Sequence, residues 1–124
     1  MSLHKKVGKK GEEAAIHFLR EKGYSIRARN WRKHPAELDI ICQQSELLVF
    51  VEVKARTDHG FEIEEWGINN EKMRILSDAA YSYMAEEDWE GEFRFDIITV
   101  AFDLSGARKI KHYPDAFFPG LEGF

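Results

Sequence analysis

Asp39, Glu52 and Lys54 form the pattern D-x12-E-x-K, and the three residue types suit one chemistry. Two carboxylates brought together can share a divalent cation, and magnesium accepts one or two of them completed by waters and substrate phosphate oxygens. An ammonium beside them can orient or help deprotonate a water, or stabilise charge building on a phosphate. The local pattern bears on whether they meet. Across residues 47–55 an extended chain puts Leu48, Phe50, Glu52 and Lys54 on one side, and Leu47, Val49, Val51 and Val53 on the other. Both sides begin apolar, which predicts a central strand covered on both faces. Glu52 and Lys54 then point the same way at the end of a buried strand, where charges need partners or a metal. The simpler alternative is that the strand surfaces at Glu52 and water takes both charges.

The preceding segment repeats the motif. In residues 36–42, Glu37, Asp39 and Ile41 fall on one face and Leu38, Ile40 and Cys42 on the other. Residues 43–46 are a short hairpin connection, so this strand and the next are expected to be sheet neighbours. If Asp39 and Glu52 share a side, their carboxylates can hold one ion. Glu12 is a fourth candidate. By helical spacing it lies near Gly8, Ala15, Ile16 and Leu19, on the inward side, whereas Glu13 is turned away. It can reach a metal, or simply pair with a nearby lysine or arginine.

The elements that must position these groups follow from periodicity. Residues 5–22 read as a helix stopped by Gly23. Residues 24–31 alternate as a half-exposed strand, with Tyr24, Ile26, Ala28 and Asn30 on one side and Ser25, Arg27, Arg29 and Trp31 on the other. A turn at Lys33-His34-Pro35 leads to strands at 37–42 and 47–55. Residues 56–68 show no clear period. A second helix is expected over 69–87, with Asn69 or Asn70 as its cap, then strands at 93–102 and 109–113. The order α-β-β-β-α-β-β predicts an α/β fold: a mixed sheet flanked by helices, with a meander followed by a helical crossover.

Composition bounds the class. A chain of 124 residues, 44% hydrophobic and 32% charged, fits a single globular domain over residues 1–124. No apolar run approaches the roughly 18 residues of a membrane span, and the basic start lacks the apolar stretch of a secretory signal. The lone Cys42 excludes an intrachain disulfide framework, and a cytoplasmic location is the simple reading. The net charge of −4 is unevenly spread: residues 1–34 hold ten lysines and arginines against three acids, and the other ninety hold eight against nineteen. That predicts a basic and an acidic face, the basic one either phosphate-binding or merely the solvated side of a helix.

Together these segments resemble a known family. Gly8-x-x-Gly11-Glu12-x-x-Ala15, Gly23-Tyr24-x-Ile26, Asn30-x-Arg32, Glu37-Leu38-Asp39-Ile40-Ile41, Phe50-Val51-Glu52-Val53-Lys54-x-Arg56, Lys72 and Arg94-Phe95-Asp96 resemble the YraN family over roughly residues 7–102. That is a bacterial family of small proteins assigned to the PD-(D/E)xK, restriction-endonuclease-like fold, akin to archaeal Holliday-junction resolvases. The FVEVK-x-R stretch after an ELD strand is its specific part. The family usually has glycine where this chain has Ala36, a departure that leaves every acid and the lysine in place. The resemblance implies that Asp39, Glu52 and Lys54 are the nuclease motif, with Glu12 as the acid of the first helix.

The expectation is therefore an endonuclease dependent on magnesium or manganese and acting on DNA rather than RNA, with branched or structured DNA as the substrate. Asp39 and Glu52 would hold the metal, Lys54 would orient water and Glu12 would complete the site. Arg32, Arg56 and Lys72 are candidate nucleic-acid contacts. A homodimer suits two-fold substrates. The alternative is a catalytically inactive module of the same fold that grips nucleic acid or a protein partner. An adaptor using the aromatic tail Phe117-Phe118-Pro119 is a third reading. Trp31, Trp66 and Trp89 suit a core more than base stacking, and the five histidines show no ligand spacing, with His59 the one nearest the motif.

Overall fold

The computed structural model describes residues 3–57 and 69–117. The elements run α1 (Leu3–Glu21), β1 (Ser25–Lys33), β2 (Ala36–Gln44), β3 (Leu47–Arg56), α2 (Asn70–Glu86), β4 (Glu92–Phe102) and β5 (Arg108–Phe117). This is the order read from the sequence. The five strands form one sheet in the order β1-β2-β3-β4-β5. β3 and β4 are parallel, with Leu47 opposite Glu92 and Arg56 opposite Ala101, and the other pairs are antiparallel. Parallel neighbours need a crossover, and α2 lies in the segment that makes it. Among the described residues no helix is long and apolar enough to cross a membrane.

The sheet is covered on both sides, as the two apolar faces of β3 require. Leu48 and Phe50 join Phe95, Ile97 and the α2 residues Leu76, Ala80 and Tyr83 in one core. Val49 and Val51 join Ile98, Val100 and the α1 residues Ala15, Ile16 and Leu19 in the other. Two glycines set the course of α1. A Cβ built on Gly11 would stand 2.5 Å from the Cβ of Ala55, so only glycine lets the helix lie this close to β3. Gly23, at φ 93°, ends the helix in a conformation that costs other residues free energy.

Strict alternation fails in two places beside the site. It would put Ala28 with Ile26, and Leu38 with Ile40. Instead Ile26 and Ile40 pack on the α1 side, whereas Ala28, Trp31 and Leu38 pack on the α2 side. In β1 the cause is a register shift between Ile26 and Ala28, followed by Asn30 at a positive φ of 49°. In β2 the chain turns over at Asp39, and its register with β3 runs only from Ile40 opposite Val51 to Gln44 opposite Leu47. All five strands run longer than expected, β3 and β4 by one residue and β5 by the most, ending at Phe117 rather than 113. Ala36 is buried in the α2-side core, so the residue that departs from the family pattern has a packing role. His59, Trp66, Phe118 and Pro119 lie outside the described residues.

Candidate metal and phosphate site

β2 and β3 separate beyond Ile40 and Val51, and Asp39 fills the opening. Its Oδ2 accepts the Val53 backbone N–H at 2.8 Å, so the side chain replaces a rung of the strand ladder. That bond fixes the carboxylate beside Glu52, one residue earlier on β3. Glu52 is 7% exposed and extends the buried side of β3 that carries Leu48 and Phe50. Two ammonium groups meet it: Lys72 Nζ lies 2.9 Å from Oε2 and Lys54 Nζ 3.5 Å from the same atom. Lys72 arrives from the first turn of α2. Asn69 caps that turn by accepting the Lys72 backbone N–H at 2.9 Å. The expected trio of Asp39, Glu52 and Lys54 is thus brought together, with Lys72 as a fourth member.

Glu12 approaches from the α1 side. Asn30 Nδ2 donates to Glu12 Oε1 at 3.0 Å and to Glu37 Oε2 at 3.1 Å. The carboxylate oxygens of Glu12, Glu37 and Asp39 lie within 4.8 Å of one another, a grouping able to hold a metal ion. Asp39 therefore stands between two clusters, Glu12 and Glu37 on one flank and Glu52 with its lysines on the other. The sequence showed Glu37 facing with Asp39 but gave it no role, and it gave none to Asn30. The Asn30 bridge depends on a left-handed backbone turn within a strand, for which the residue pattern held no signal.

The electrostatics follow from this crowding. Burial, then the charge and hydrogen bond of Glu52, then the charge of Glu12, push Asp39 up to about 9 against the pull of the Val53 N–H. Lys54 is lowered, first by burial and then by Lys72, with Glu52 opposing. Burial works against the charge on Lys72 too, but Glu52 outweighs it and holds Lys72 above its usual value. Four carboxylates, Glu12, Glu37, Asp39 and Glu52, gather against two lysines, and this crowding adds to burial in raising Asp39. A cleft of about 430 Å³ opens beside it, lined by Glu37, Asp39, Glu52, Glu71, Lys72 and Ile75 among others.

The expected nucleic-acid contacts are spread around this centre. Arg32 is largely exposed and pairs with Glu37 at 3.0 Å. Arg56 ends β3, half-buried, two residues beyond Lys54. Lys72 is in the site itself. Arg27, on the same strand as Arg32, bonds Tyr83, Gln43 and Glu87 away from this centre. Trp31 packs edge-on against Tyr83 at 5.4 Å and Trp89 packs against the same core, which favours the core reading for both.

Comparison with known proteins places this geometry in a family. Residues 11–100 match the model of the uncharacterised protein family UPF0102, the YraN family of the sequence resemblance. A UPF0102 protein of Bacteroides thetaiotaomicron is 42% identical over 121 residues, 98% of this chain and 99% of that protein. One of Flavobacterium psychrophilum is 40% identical over 118 residues, covering 95% and 98%. One of Porphyromonas gingivalis is 37% identical over 118 residues, covering 94% and 87%.

Proposed function

The chain belongs to the uncharacterised protein family UPF0102, and on that premise we propose that it is a metal-dependent endonuclease hydrolysing phosphodiester bonds in DNA, with branched or structured DNA as its substrate. One observation carries the reading: Asp39 and Glu52, where β2 and β3 part, line a cleft with Lys72 of α2, and Lys54 meets Glu52 beside it. The donor set fits magnesium or manganese. It consists of hard carboxylate oxygens without sulfur or imidazole, and its crowding already favours an added positive charge. Asp39 and Glu52 would hold the ion, with Glu12 and Glu37 close enough to complete or steady its shell. The ion would supply Lewis-acid stabilisation of the negative charge that grows on the phosphoryl oxygens.

The remaining roles belong to side chains of the chain itself. Lys54, half-buried with its charge disfavoured, is suited to orient the attacking water and help take its proton. Lys72, fully charged beside Glu52, is suited to grip the phosphate and shield the carboxylate from it. The water oxygen bonds to phosphorus as the bond from phosphorus to the leaving sugar oxygen breaks. Cleavage of end-labelled junction and flap DNA with magnesium tests this. Product is expected from the wild type and a loss of at least about a hundredfold in Lys54→Ala and Asp39→Ala. Undiminished cleavage in either variant would overturn the assignment.

A second reading has its own support. Lys72 and Lys54 already neutralise Glu52, an arrangement that a non-cutting module would also keep. Such a module binds DNA with a steep salt dependence, needs no metal and yields no product.

A further inference from the structure

A second cavity, of about 600 Å³, lies on the α1 side, between that helix and the turn joining β4 to β5. Its wall includes Val7, Ala14 and Phe102, its cations are Lys6, Lys10 and Arg108, and Thr57 links it to the end of β3 just beyond Lys54 and Arg56. Leu104 stands at its edge, fully exposed at the tip of the turn. The turn is built to hold it there. Asp103 accepts hydrogen bonds from Ser105 N at 2.9 Å, Ser105 Oγ at 2.6 Å and Ala107 N at 3.0 Å, and Gly106 takes a φ of 89°. These bonds hold the Asp103 carboxylate ionised but turned into its own loop, so the three cations face two acids, Asp103 and Glu13, and remain in excess.

The groove and the carboxylate site share an end of the sheet. β3 and β4 run parallel, and both features lie toward their carboxyl ends, where open mixed sheets characteristically bind ligands. α1 contributes Lys10 to one and Glu12 to the other. An occupant must offer flat apolar units to Val7, Phe102 and Leu104 and negative charge to Lys6, Lys10 and Arg108. Unpaired nucleotides do both: bases stack on apolar and aromatic side chains while phosphates meet the cations. An apolar side chain on a rigid tip is also what opens a base step.

We infer that this groove holds the unpaired strand of a DNA branch or extension, with Leu104 as the wedge against the last paired base. The inference rests on the nuclease reading only for the choice of DNA as occupant. Its test is anisotropy titration in EDTA, so that no cleavage intervenes. The probes are a labelled blunt duplex and the same duplex with a single-stranded extension. Wild type is expected to prefer the extended duplex roughly tenfold. Leu104→Ser should lose that preference while keeping its affinity for the blunt duplex and its thermal midpoint. The triple variant Lys6→Gln, Lys10→Gln, Arg108→Gln should bind both duplexes more weakly, with a shallower salt dependence. A preference that survives in Leu104→Ser, or is missing from wild type, overturns the inference. So does self-association that needs Leu104 and brings no preference for the extension. Wild type that prefers the extension yet never cuts with magnesium refutes the nuclease reading and leaves this one standing. Cutting that persists while Leu104→Ser binds like wild type refutes this inference alone.

Discussion

Asp39 shows how a site residue and a stabilising residue differ. Its carboxyl is held near 9, so folding takes up a proton, and its contribution to stability is full below the ordinary value of 3.8 and lost as pH rises toward 9. Asp39→Asn removes the cost of keeping a proton on a buried carboxyl at a pH where the unfolded chain has released it. In metal-free buffer at pH 8 the variant should be more stable than wild type, on the order of 1–3 kcal/mol by urea denaturation, with a flatter pH profile. Equal or lower stability would mean that the Val53 hydrogen bond outweighs that cost. Cys42 makes the opposite case, a nucleophile with no work to do. It is fully buried and its thiol is pushed up to about 12, mainly by burial. It should resist a thiol-reactive dye in the native protein and react on unfolding; rapid native labelling would contradict its placement. At this scale the sequence was legible for Glu52 and Lys54, which period-two alternation puts on one side of β3, and for Asp39, which a short hairpin puts on the neighbouring strand; the turnover of β2 at Asp39 was not. Lys72 was visible only as a possible phosphate contact, since its approach to Glu52 depends on where α2 starts.

Elements carry the site by lying close and staying paired. α1 brings Glu12 to Asp39 only because Gly11 lets it sit on Ala55. Gly11→Val should lower stability by about 1–3 kcal/mol, read as a lower thermal midpoint, and should weaken metal affinity as Glu12 is pushed away. β4 and β5 are tied by a fully buried acid. Asp96 accepts from Arg94 Nε and Nη2, each at 2.7 Å, His112 Nε2 lies 2.7 Å from Oδ2, and the Asp115 N–H donates at 2.9 Å. Burial works to raise Asp96, but His112, Arg94 and the backbone outweigh it and hold it below its usual value. The stability it confers is present above the ordinary carboxylate value and lost as pH falls through its lower folded value. Asp96→Asn should cost about 3–5 kcal/mol at pH 7 and flatten the acid limb of the stability curve. An unchanged midpoint at pH 7 would dismiss the network as a stabiliser. Element types and order were readable from periodicity, and Asn69 was read as a possible cap. The side-switching at Ala28 and Leu38 was not, because a bulge changes which face each side chain takes while leaving the composition of the strand untouched.

On the scale of the whole molecule, the uneven charge of the sequence has a physical form. Lys6 and Lys10 of α1 line the groove on one side of the sheet, and the carboxylates gather where β2 and β3 part. Under the proposed function, a single nucleic-acid strand would cross from the groove to the carboxylates. Lys6, Lys10 and Arg108 form a local basic patch at that groove within a chain of net charge −4. Chain-wide charge totals were legible from the start; their placement needed the turn of α1 over the sheet.

Calorimetric titration of manganese into the wild type, Asp39→Asn and Glu52→Gln tests the shared centre most directly. The wild type should bind with a stoichiometry near one and release a proton, seen as an observed heat that changes with the buffer's ionisation enthalpy, and each variant should bind at least about tenfold more weakly. Binding of equal strength in all three proteins, or none in the wild type, would contradict a cation held jointly by Asp39 and Glu52.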